Sequence, residues 1–86
     1  MRKVLKYEID PGNQLDITLP ADAFVVLVAE QYGKLTLWFD TAMEGKARTF
    51  EVFATGQEIP EGYIHRGSAV CAGGYLIWHV YEVPHA

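Results

Sequence analysis

The stretch Ala23 to Asp40, AFVVLVAEQYGKLTLWFD, constrains the fold more than any other part of the chain. It reads as two strands joined by one tight turn, from which the other strands are expected to pair outward. Ala23 to Ala29 is an unbroken apolar run, too short to cross a bilayer and suited to a strand covered on both faces. Val25, Val26 and Val28 are β-branched and favour extended backbone. Gly33 accepts the positive φ that a hairpin turn needs, with polar Gln31 and Lys34 beside it. The second arm alternates: Leu35, Leu37 and Phe39 share one face, and Thr36, Trp38 and Asp40 the other.

The flanking segments repeat this signal. Lys3 to Ile9 alternates, with Leu5, Tyr7 and Ile9 on one side, and Asp10-Pro11-Gly12-Asn13 supplies turn chemistry. Strands are expected over Gln14 to Leu19, Ala47 to Ala54, Tyr63 to Gly67 and Tyr75 to Val83. The segment TAMEGK, 41–46, reads as a loop with room for a short helical turn. No segment of ten or more residues has a helical period. The expectation is one all-β domain over residues 1–86, a six- or seven-stranded antiparallel meander folded as a small sandwich or partly open barrel.

Composition narrows the functions. A chain of 86 residues buries only about 60–65% of its unfolded surface, which leaves little room to build a catalytic pocket. The formal charge is −4 and no basic run exceeds Arg2-Lys3, which argues against non-specific nucleic-acid binding. Cys71 is the one cysteine, so no intrachain disulfide can form, and a reducing compartment fits. The opening MRKVLKYEID lacks the apolar core of a signal peptide, and neither secretion nor a membrane is expected.

His65, Cys71 and His79 lack the close paired spacing of a zinc site, so no metal and no cofactor is expected. Ser68 and Cys71 each have a histidine nearby in sequence, but a nucleophile–base pair is recognised by geometry, and nearness along the chain is not geometry. Gly73-Gly74 precedes a strand and makes no phosphate loop. A strand-built ligand site would use loop amides, arginines and aromatic rings. The candidates are Thr55, Gly56 and Gln57 in the longest polar interval, His79 and Tyr81 in the closing strand, and Arg48, Arg66 and Trp38. The closing strand and the central hairpin are apolar on both faces, and a single thin sandwich has one interior. A homo-oligomer interface is the expected second cover.

The succession LPADA, GKLTLWF, RTFEVFATGQEIP and LIWHVYEV resembles a group of small proteins encoded by tailed bacteriophages. The similarity runs from about Tyr7 to Glu82 and is carried by Thr55-Gly56-Gln57-Glu58-Ile59 and Trp78-His79-Val80-Tyr81-Glu82. Gln57 stands where that group has histidine. The resemblance implies a phage product in the host bacterial cytoplasm, of a kind that interferes with host defence by holding a small nucleotide signal or covering a host protein. It carries over no functional residue. The expected functions are, in order, a non-catalytic oligomeric binder of that kind, a virion or morphogenesis component, and a small hydrolase.

Overall fold

A computed structural model describes residues 2–41 and 45–84. Among them are seven strands: β1 (Lys3–Glu8), β2 (Leu15–Leu19), β3 (Phe24–Gln31), β4 (Lys34–Thr41), β5 (Lys46–Ala54), β6 (Ile64–Cys71) and β7 (Leu76–Glu82). They form two antiparallel sheets, a three-stranded one in the order β1-β4-β3 and a four-stranded one in the order β2-β5-β7-β6. The fold is a sandwich and does not close into a barrel. It is also not a meander: β1 and β2 part to different sheets, and β7 inserts between β5 and β6. The helical turn expected within TAMEGK falls mainly on 42–44, which lie outside the described residues.

The alternation of β4 puts Leu35, Leu37 and Phe39 in the core, where they meet Phe50, Val52 and Val80 of the facing sheet. Phe39 and Phe50 touch edge to face at 5.2 Å between centroids. The turn between β3 and β4 has two central residues, Tyr32 and Gly33, at φ 51° and 78°. Positive φ at both is the twist that matches a two-residue hairpin.

Two further expectations are corrected. The apolar run of β3 is not covered on both faces. A bulge at Val26 breaks its alternation, and Phe24, Val26 and Leu27 stay about half exposed. The strand expected at Tyr63 to Gly67 runs instead from Ile64 to Cys71, because Ser68 to Cys71 also pair with β7. Ala69 and Cys71 enter the core.

β3 and β6 close one side of the sandwich through Gly67. A Cβ there would sit 2.5 Å from Val28 Cγ2, and Val28 is itself buried and β-branched. Gly67→Ala is therefore expected to destabilise the fold by about 1–3 kcal/mol through overpacking. Urea denaturation measures this, and an unchanged midpoint would show that β3 and β6 part freely.

Candidate anion-binding site

β5 carries Arg48, Phe50 and Val52 on its inner face, and β7 carries Val80 and Glu82. This parity buries a cation and a carboxylate side by side at one end of the sandwich. Arg48 Nε and Nη2 donate to the two Glu82 oxygens at 2.7 and 2.8 Å. Arg48 Nη1 donates to the carbonyls of Pro20 and Ala23 at 2.8 and 2.9 Å. Those carbonyls belong to the link that carries the chain from β2 in one sheet to β3 in the other, so Arg48 ties that crossing to β5 and β7. Four of its N–H groups are spent in doing so.

A second guanidinium reaches the same carboxylate. Between His65 and Gly67 the β6–β7 register shifts, and Arg66 is the residue left over. Such a bulge re-aims a side chain. Arg66 Nε and Nη2 lie 3.0 and 2.9 Å from Glu82 Oε1, and its side chain stays 35% exposed. Burial alone would raise the pKa of Glu82 above the usual carboxylate range. Hydrogen bonds and charge from Arg48, then from Arg66, outweigh it and hold the carboxyl below that range.

These groups line a cavity of about 440 Å³ together with Leu19, Ala21 and Lys46. Three cations face one carboxylate there, a net charge of +2 in a chain whose total is −4. Arg48 and Glu82 neutralise each other in the wall. Arg66, with its Nη1 turned away from Glu82, and Lys46 are the cations at the mouth.

Five of the other sequence candidates come together elsewhere. Thr55, Gly56, Gln57, His79 and Tyr81 line a cleft of about 190 Å³ on the outer face of the four-stranded sheet. Gln57 spends itself on the turn: its N–H donates to Ala54 O, and its Oε1 accepts from Ala54 N–H. Trp38 joins neither group. It lies half-buried on the outer face of the three-stranded sheet, opposite Leu27 and Lys6. A third cleft, of about 310 Å³, has Glu8, Asp10 and Glu30 in its lining. Cys71 borders it, but burial and then the charge of Glu30 push the thiol's pKa up, away from thiolate.

Sequence reasoning alone missed Lys46, Glu82 and Ser68 as site residues. Glu82 was findable, since it shares the inward parity of Val80 on a strand facing Arg48. Nearness to His65 along the chain does not mark Ser68 as a site residue, but the β6–β7 register places it directly opposite His79. Among the described residues, no group of three or more His, Cys, Asp or Glu is placed to hold a metal ion, and no helix is long and apolar enough to cross a membrane.

The full span, residues 1–86, matches one family, a domain of unknown function designated DUF7352, and the chain belongs to that family. No curated protein and no solved structure matches it.

Proposed function

We propose that this domain is a binding protein for a small anionic ligand of the nucleotide class, held in the cavity beside Arg48, Arg66 and Lys46. One observation carries the reading: the cavity concentrates a net +2 charge in an acidic chain, with Arg66 delivered to it by a bulge. Arg48 is committed to the scaffold, so Arg66 and Lys46 take the phosphate or carboxylate groups. Leu19 and Ala21 give an apolar wall for the rest of the ligand. Binding asks for no nucleophile or base in this cavity. The phage accessory setting that the sequence resemblance implies, with the host cytoplasm as its place, belongs to the same proposal.

A homo-oligomer is part of it as well. Val4, Phe24 and Leu27, each about half exposed or more, surround Trp38 on the outer face of the three-stranded sheet. A second copy is the simplest cover for such a face.

Calorimetry against inorganic phosphate and a panel of linear and cyclic nucleotides tests the ligand, with light scattering on the same samples for subunit number. At least one panel member is expected to bind, with affinity that falls as salt is raised. Lys46→Ala and Arg66→Gln are each expected to weaken it about tenfold or more, the worth of a hydrogen bond to a charged group. Silence of the wild-type protein across the panel would sink the proposal.

A further inference from the structure

The outer face of the four-stranded sheet holds a second constellation, whose residues are disjoint from the cation cavity. Ser68 on β6 lies directly opposite His79 on β7. Its Oγ is 2.6 Å from His79 Nδ1 and 2.9 Å from His65 Nε2. The far nitrogen of His79, Nε2, is 2.9 Å from Thr55 Oγ1. The His65 ring leans on Tyr81 at 5.2 Å between centroids.

The proton count constrains this chain. A serine hydroxyl has one proton to donate, and its two neighbours are both imidazole nitrogens. With both rings neutral, one imidazole must accept the Ser68 proton and the other must donate to the Ser68 oxygen. Either polarity leaves Ser68 bonded to a base on one side and to an N–H on the other. The shorter contact and the anchored far nitrogen favour His79 as acceptor. His79 Nε2–H then donates to Thr55 Oγ1, and His65 Nε2–H donates to Ser68 Oγ.

We propose that Ser68 is a nucleophile that accepts a short acyl group from an activated ester, with His79 as its general base and Thr55 as the residue that positions His79. Ser68 Oγ attacks the carbonyl carbon and forms the new C–O bond, while its proton passes to His79 Nδ1. The carbonyl electron pair moves onto oxygen and then returns. The bond to the leaving alkoxide breaks, and the alkoxide takes the proton from His79. Water then attacks the acyl-serine, gives its proton to His79, and releases the acid as Ser68 recovers that proton. Thr55 and His79 line a cleft of about 190 Å³ with Gly56, Ile59 and Tyr81, while Ser68 lies outside that lining. This goes beyond the binding reading and stands or falls without it, since Lys46 and Arg66 take no part.

The test is intact-mass and peptide mapping after exposure of the full chain to p-nitrophenyl acetate and, separately, to a fluorophosphonate. The expected result is one adduct, on Ser68. Ser68→Ala should abolish it, and His79→Ala should slow labelling about a hundredfold or more, the usual worth of a positioned base. Thr55→Val should slow it about tenfold, with Thr55→Ser restoring the rate, because the hydroxyl rather than the bulk is what orients His79. All four variants lie on an exposed face, and circular dichroism checks that each is folded. No adduct on the wild type, an adduct on another residue, or labelling of Ser68 that is as fast in His79→Ala as in the wild type would each overturn the assignment.

Discussion

Replacing Arg48 with methionine is expected to cost the fold about 3–5 kcal/mol, the penalty for leaving a buried charge without its partner. The variant takes both Arg48 bonds from the Glu82 carboxylate, whose side chain is 11% exposed, leaving it only the partly exposed Arg66, and it removes a donor from the carbonyls of Pro20 and Ala23. For a domain of this size the melting temperature should fall by more than about 12 °C. Arg66→Gln breaks a bond to the same carboxylate from a side chain 35% exposed, and should cost no more than about 1 kcal/mol. The double variant Arg48→Met, Glu82→Leu should recover part of the loss, because it removes the orphaned charge. Acidity gives an independent readout. Since the folded protein holds the Glu82 carboxyl below its ordinary range, Glu82 adds stability above that range, and the gain is lost as pH falls through the lowered folded value. In Arg48→Met that acid-dependent loss should shrink or reverse, because Arg66 alone then opposes the burial that raises the Glu82 pKa. Chemical denaturation from neutral to acidic pH measures both effects. An Arg48→Met variant within about 1 kcal/mol of wild type would show that the pair is a surface contact, not a clamp.

How much of this was legible in the sequence depends on the range of the interaction. The inward faces of β4 and β5 follow from alternation, since Leu37, Phe39, Phe50 and Val52 are apolar at every second position and all are buried. Strand order follows from no local signal. That β7 lies between β5 and β6 is decided by which apolar faces meet, and a meander satisfies the same patterns. The apolar run at Ala23 to Ala29 implies double cover only if it is straight and central. β3 is neither, since it has no second partner in its sheet and is bulged at Val26. The sequence predicts β6 only as far as Gly67, because Ser68 and Ala69 have little strand propensity. They pair because β7 presents a free edge to them, and Gly67 is there because Val28 leaves no space for a Cβ. The site divides in the same way. Arg48 is placed by parity with Phe50, while Arg66 is placed by a bulge, whose one sign in the sequence is the glycine that follows it.

Phe39→Ala is expected to cost about 3–5 kcal/mol, as for other large aromatic side chains removed from a core. Phe39 is fully buried in the central strand of its sheet. It meets Tyr7 edge to face at 5.9 Å within that sheet and Phe50 at 5.2 Å across the sandwich. Each such pair adds about 0.5–1.5 kcal/mol beyond the area it covers. Loss of the ring therefore breaks the contact between the two sheets at their centre, and the cavity cannot close without moving both. The preceding residue in the chain supplies the control. Trp38 points to the outer face, where only part of the ring is covered, so Trp38→Ala should cost a monomer less than about 3 kcal/mol despite the larger side chain. Denaturation of both variants over a range of protein concentrations separates core from interface. The Phe39→Ala loss should be independent of concentration. If copies associate through Val4, Phe24, Leu27 and Trp38, the wild type gains stability with concentration and Trp38→Ala gains less, so its deficit grows as the protein is concentrated. A Phe39→Ala variant that unfolds at the wild-type midpoint would mean that the two sheets are not held together by this core.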